Sequence, residues 1–131
     1  MKYLFSSVVV FLLVLLVSCN SYGDKVVYDG TEIYYKEGVS EETAKEIGEY
    51  LQEMGFTDGS EKSVQLTKDS VYNFRMVVQK QFETDTTKDY SFMALGFLLS
   101  SEVFNGESLN FQLCDNTFKT VRTIPVQGTA K

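Results

Sequence analysis

Residues 40–78 read SEETAKEIGEYLQEMGFTDGSEKSVQLTKDSVYNFRMVV, and two different periodicities follow one another in this stretch. Its first part has the spacing of an amphipathic helix, with Ser40 as the N-cap, acids in the first turn and Gly55 as the stop. Its second part alternates apolar and polar residues on both sides of Lys68-Asp69-Ser70, which is typical of a β-hairpin. The stretch therefore predicts an α+β fold.

A similar pattern follows towards the C-terminus. A second helix is predicted from about Thr87 to Val103, and its wide apolar surface suggests that it is more buried than the first. A second hairpin is expected around Asp115-Asn116, and its last strand, Phe118–Ile124, needs a bulge or an edge position and ends at Pro125.

These elements, together with a strand over Ile33–Tyr35, predict one antiparallel sheet of about five strands with two helices on one face. The expected order is β-α-β-β-α-β-β. Both halves have the order helix, strand, hairpin, strand, and this repeated order is compatible with an internal duplication.

The composition excludes several classes of function. The chain has 131 residues, a formal net charge of -6, no histidine and two cysteines, so it predicts one small domain. Without histidine, the usual catalytic triads and the commonest metal ligand are missing. The negative charge argues against binding to nucleic acid. We predict no cofactor and no metal, and no catalytic residue can be nominated.

The N-terminus has the pattern of an export signal. Lys2 is the only charge before the apolar run Leu4–Val17. As a helix this run would reach roughly 21 Å, against roughly 30 Å of hydrocarbon in a bilayer, which favours a signal peptide over a transmembrane helix.

The residues Leu16-Val17-Ser18-Cys19 resemble the lipobox of bacterial lipoprotein precursors. The resemblance implies cleavage between Ser18 and Cys19 and attachment of a diacylglycerol with long acyl chains, such as palmitate, to Cys19. Two or three such chains hold a protein on a membrane stably. The alternative is an ordinary secretory signal in which Cys19 is a bystander thiol.

The domain boundaries follow from these assignments. We expect a lipoprotein signal peptide over residues 1–18, a lipidated cysteine and short tether over 19–24, and a single α+β domain over 25–131. The predicted location is the cell envelope, on a membrane outside the cytoplasm. In a Gram-negative cell Asn20 would be compatible with sorting to the outer membrane. With Cys19 acylated, Cys114 lacks a disulfide partner and is best read as a buried apolar residue.

Part of the domain resembles an uncharacterised bacterial domain that recurs in membrane-associated proteins. The residues that carry the resemblance are Tyr34-Tyr35, Gly38–Lys45, Ser63–Leu66 and Arg75–Val78. No activity comes with it.

The sheet face without helices is the candidate binding surface. Alternation predicts that seven residues point outward there, and their amides, guanidinium and phenol can recognise a peptide or a saccharide. They are Tyr34, Gln65, Thr67, Asn73, Arg75, Asn110 and Gln112. The alternative is that this surface is an ordinary hydrated sheet face. On the first helix, a solvated face also explains the acids better than a cation site does; these acids are Glu42, Glu46, Glu49 and Glu53.

Three hypotheses for the function follow. The first is a lipid-anchored, non-catalytic module of the bacterial envelope that binds an envelope protein or a cell-wall component. The second is a small envelope hydrolase that uses Asp and Glu carboxylates, which predicts a pocket with two carboxyl groups of raised pKa. The third is a subunit of an envelope assembly, which predicts an exposed apolar patch near the second helix.

Overall fold

The computed structural model describes residues 22–130, so the predicted signal peptide, cleavage site and lipidated Cys19 lie outside the described residues. The domain is α+β, as predicted, with one six-stranded sheet in the spatial order β1 to β6 and two α-helices. The elements are β1 (Asp24–Tyr28), β2 (Thr31–Tyr35), α1 (Glu41–Glu53), β3 (Lys62–Lys68), β4 (Tyr72–Val77), a short 3-10 helix (Lys80–Glu83), α2 (Asp89–Glu102), β5 (Leu109–Cys114) and β6 (Thr120–Val126). Within residues 22–130, neither helix has the length and apolarity needed to cross a membrane.

The sheet is mixed, and the prediction of an all-antiparallel sheet is wrong. β1–β2, β3–β4 and β5–β6 are antiparallel hairpins, whereas β2–β3 and β4–β5 are parallel pairs. Each helix returns the chain to the end of the sheet where the preceding strand began, so the next strand runs parallel to it. The hairpins were predicted from their turns, but the helices were not recognised as crossover connections.

The strand count was also too low because β1 was not counted as a strand of the sheet. β1 pairs with β2 through the two-residue turn Asp29-Gly30, in which both residues have positive φ angles of 49° and 86°. Asp-Gly between two strands is the sequence signal for this kind of tight hairpin. The observed order is therefore β-β-α-β-β-α-β-β.

Both helices pack on the same face of the sheet, as predicted. Gly48 of α1 lies against the ring of Tyr28. On α2, Gly96 lies against Val126, and the ring of Phe92 stacks on Phe111 with 5.3 Å between centroids.

The two crossover connections differ in hand. The first starts from β2 and the second from β4, which runs in the opposite direction, but both move across the sheet in the same direction. Two helices on one face then require crossovers of opposite hand, one of them the rare left-handed form.

The local signals at the helix ends were interpreted correctly. The Ser40 side chain accepts a hydrogen bond from the Thr43 backbone N–H at 3.1 Å, and Gly55 follows α1 with a φ of 83°. The observed α2 starts and ends within two residues of the prediction.

The end of β6 was predicted less well. The register shift opposite Leu113 and Cys114 agrees with the expected bulge, but Pro125 lies inside β6 instead of ending it. β6 is an edge strand of the sheet, so a residue without an N–H can be accommodated there.

The two helices pack over the two sides of the sheet. α1 packs over β1 and β2, and α2 packs over β5 and β6. On the helix side of β3 and β4, Val64 and Phe74 are fully buried, whereas Met76 near the end of β4 is only partly buried. A groove lies beside Met76, at the end of the sheet where β3 begins and β4 ends.

Candidate functional sites

The seven predicted residues share the sheet face opposite the helices, and we call this surface the polar face. The strand register aligns them in two neighbouring rows. One row contains Tyr34, Gln65, Arg75 and Gln112, and the other contains Thr67, Asn73 and Asn110. The predicted geometry is thus present, whereas the role of these residues in binding stays a prediction.

Arg75 is the centre of the polar face, and its donors are engaged within the chain. Its Nε donates to Gln65 Oε1 at 2.9 Å, and its Nη1 donates to Gln112 Oε1 at 2.6 Å and to Thr120 Oγ1 at 2.8 Å. Its Nη2 donates to the backbone carbonyl of Phe118. The guanidinium thus joins β4 to β3, β5, β6 and the β5–β6 loop, and all four acceptors are neutral.

The second row of the polar face is also satisfied internally. Asn73 is 5% exposed, donates to Thr67 Oγ1 and Asp69 Oδ2, and accepts from Asn110 Nδ2. Gln65 is 4% exposed and donates to the carbonyl of Tyr22 at 3.0 Å. These amide groups therefore already form hydrogen bonds within the domain, and a ligand would have to replace those bonds.

An aromatic cluster partly covers the polar face, and no local pattern in the sequence predicts it. The ring of Tyr22 lies edge-on to the rings of Tyr34 and Phe118, with centroid distances of 5.7 and 5.1 Å. Phe118 has a positive φ of 60° and is buried because the β5–β6 loop folds back over the sheet. The residues just before β1 are thereby fastened to this face.

Three titratable groups on this face have pKa values that reflect the packing. The Tyr34 hydroxyl donates to the Glu32 carboxylate at 2.7 Å, and this bond, with some desolvation, raises the pKa of Tyr34 to about 12. The same bond holds the pKa of Glu32 below its usual value. Burial raises the pKa of the Cys114 thiol, which agrees with its predicted apolar role.

The groove at the end of the sheet where β3 begins and β4 ends forms two adjoining cavities of about 650 and 290 Å³. Both share Phe56, Met76 and Phe92 in their lining, so together they make one continuous trough. Phe82, Lys62 and Lys88 line its larger end. We call this trough the central groove.

The third surface is on α2, and here the expected burial is wrong. Tyr90, Met93, Phe97 and Leu98 are 88, 45, 46 and 38% exposed. Apolar residues occupy every side of this helix, whereas the sheet can cover only one side, where Leu95 and Leu99 are buried. We call the four exposed residues the α2 outer surface; it is the apolar patch expected of an assembly subunit.

The carboxyl groups show the reverse of what the hydrolase hypothesis predicts. The acids with clearly displaced pKa values, such as Asp58, Asp69 and Asp89, all have them lowered by hydrogen bonds to their carboxylates. Within residues 22–130, no group of three or more Cys, Asp and Glu side chains is arranged to hold a metal ion. The acids of α1 at 42, 46, 49 and 53 are all exposed.

These features define a small α+β domain with a mixed six-stranded sheet, an internally bonded polar face, a central groove and an apolar helix surface. A family model described as the AF_1994_N family N-terminal domain matches residues 25–125, and the chain belongs to this family. The match spans well over half of the chain and agrees with the predicted resemblance to an uncharacterised domain. In the same comparisons, no curated protein and no solved structure matches the chain.

Proposed function

We propose that this chain is a lipid-anchored, non-catalytic interaction module of the bacterial cell envelope, and that it docks a protein partner through the α2 outer surface. The observation that carries the docking site is the exposure of Tyr90, Met93 and Phe97 on one flank of α2. Large apolar side chains that remain exposed together are typical of protein–protein contacts.

The polar face is the weaker candidate for the docking site. Arg75 and the buried amides of Gln65 and Asn73 already have partners inside the domain, so a ligand would have to compete with existing hydrogen bonds. The carboxyl groups favour a binding module over a hydrolase. A general acid needs a raised pKa, whereas the Asp and Glu side chains with a displaced pKa all have it lowered.

Tyr22, the first described residue, and the α2 outer surface lie on opposite sides of the sheet. Tyr22 contacts the polar face, and Cys19 precedes it by three residues, which span at most about 11 Å. An acylated Cys19 would therefore hold the polar face towards the bilayer. The α2 outer surface, on the helix side, would point away from the membrane and be open to a protein partner.

The anchor has a direct test. The native protein should start at Cys19, carry the mass of attached acyl chains and enter the detergent-rich phase on partitioning. The variant Cys19→Ala should remain in the aqueous phase. A native protein of unmodified mass that starts before Cys19 would disprove the anchor.

The docking surface is tested separately in intact cells. A photo-crosslinking amino acid at Phe97 should yield one discrete adduct, and the same probe at Glu46 on the exposed side of α1 should not. The substitution Met93→Lys should remove the Phe97 adduct and leave the free energy of unfolding in urea within about 0.5 kcal/mol of wild type, because Met93 is half exposed. Equal adducts at both positions, or an adduct that survives Met93→Lys, would refute docking at α2. An adduct with a second copy of the chain would identify a homo-oligomer as the assembly.

A further inference from the structure

The central groove has the architecture of a ligand site that is separate from the α2 outer surface. Its floor is Met76 on β4, and its apolar walls include Phe56, which follows α1, and Phe92 on α2. The larger cavity, about 650 Å³, lies within the usual range of roughly 300–1,000 Å³ for small-molecule sites. The groove lies between the end of α1 and the start of α2, beside Met76.

Cationic side chains occur at one end of the groove. Lys62, Lys88 and one acid, Glu61, line the larger cavity, while the lining of the smaller cavity contains no charged residue. Glu61 forms no ion pair with either lysine. The Lys62 ammonium donates to the carbonyl of Phe56 at 2.9 Å and to Asp58 at 2.8 Å, and lies 5.3 Å from the Phe56 ring centroid. Lys88 makes no ion pair with any carboxylate within residues 22–130. The groove therefore has an apolar body and a charged mouth, where Lys62 is already paired with Asp58 and Lys88 is the lysine without an ion-pair partner among the described residues.

The strands below the groove limit what can occupy it. β3 and β4 are hydrogen-bonded to a neighbour on both sides, so an extended peptide would find no free strand edge there. A hydrocarbon chain needs no hydrogen-bond partners and gains free energy from burial alone. An anionic group at the head of such a chain would complement Lys88.

We propose that the central groove binds a long-chain carboxylate, with its acyl chain between Phe56 and Phe92 above Met76 and its carboxylate beside Lys88. This site does not depend on the anchor or on docking at α2. Met93 and Phe97 are not part of the groove lining, so failure of either proposal leaves the other standing.

The test measures displacement of the fluorescent probe 11-(dansylamino)undecanoate from residues 19–131 carrying Cys19→Ser, a form that holds the whole described fold and needs no detergent. Dodecanoate, below its micelle concentration, should displace the probe saturably with one site per chain. Dodecyltrimethylammonium should be at least about tenfold weaker, because its head group cannot form an ion pair with Lys88.

Two variants locate the site. Lys88→Met should weaken dodecanoate about five- to tenfold and leave dodecanol unchanged, whereas Lys45→Met, an exposed lysine on α1, should change neither. Ser91→Trp should fill the apolar end and reduce binding of both ligands at an unchanged urea midpoint, since Ser91 is an exposed lining residue. Absence of saturable displacement, equal affinity for the cationic ligand, or wild-type binding by Lys88→Met or by Ser91→Trp would overturn the proposal.

Discussion

Replacing Arg75 by methionine tests whether the polar face is a structural clamp. The side chain makes four hydrogen bonds, which join β3, β5, β6 and the β5–β6 loop to β4. Methionine keeps much of the apolar stem but donates nothing, so the acceptors on Gln65, Gln112 and Phe118 lose their partner. No carboxylate pairs with Arg75 within the described residues, so the guanidinium contributes through these bonds.

The expected loss follows from opposing contributions. Four bonds from a charged donor are worth about 1.5–3 kcal/mol each, or roughly 6–12 kcal/mol in total. Removing the guanidinium recovers several kcal/mol of desolvation, and water can reach the partly exposed Gln112 and Thr120. We expect Arg75→Met to lower the free energy of unfolding by about 2–4 kcal/mol. Arg75→Lys should recover less than half, because one ammonium cannot reach all four acceptors.

Urea unfolding gives the global loss, and Cys114 provides a local readout. This thiol is buried on the same face as Arg75, next to the loop that Arg75 holds. With Cys19→Ser in both proteins, Cys114 is the sole thiol, and its labelling rate under native conditions reports opening of the loop. We expect Arg75→Met to accelerate labelling at least about tenfold, which corresponds to about 1.4 kcal/mol of opening free energy. Lys119→Met, in the same loop, is the control.

The reasoning fails if Arg75→Met unfolds within about 0.5 kcal/mol of wild type and labels at the wild-type rate. In that case the four acceptors would be satisfied equally well by water, and the polar face would be free for a ligand after all.

Three further predictions concern other contacts. Glu32→Gln should bring the pKa of Tyr34 down from about 12 towards 10 in an ultraviolet titration. Because the pKa of Tyr34 is raised on folding, stabilisation by this pair is complete below pH 10 and is lost as the pH rises through 12. The Arg122 hydrogen bonds lower the pKa of Asp89, so their contribution is present above about pH 4 and lost as pH falls through the lowered value; Asp89→Asn should flatten the acid side of the stability curve. Gly48→Ala should destabilise by about 1–3 kcal/mol in thermal unfolding despite better helix propensity, because its Cβ would overlap the ring of Tyr28 on β1. Unchanged or increased stability would show that the ring moves aside freely.

Much of the secondary structure could be predicted from local signals. The Ser40 cap and the turns at Asp69 and Asp115 depend on residues a few positions apart, and the structure has these elements where they were expected. The seven polar-face residues were also grouped correctly, because alternation along a strand assigns its side chains to faces without knowledge of the neighbouring strand. Asp29-Gly30 is a sequence signal for the β1–β2 hairpin, but the predicted sheet did not include β1.

The properties that decide function are not local. Periodicity could not show that Arg75 donates to residues 37 to 45 positions away, or that the β5–β6 loop covers part of the polar face. Nor could it show which side of the apolar α2 would lack a partner, because that depends on how much of the helix the sheet can cover.

The sequence by itself determined the α+β class, the two helices, the hairpins and the division of each strand into an apolar and a polar side, because these follow from neighbours along the chain. Tertiary structure alone decided the parallel pairings, the central groove, the internally bonded polar face and the exposed α2 outer surface. These depend on which segments meet across the sheet and on how much of each helix the sheet can cover: Val64 and Phe74 in its middle are buried, whereas the outer side of α2 is not.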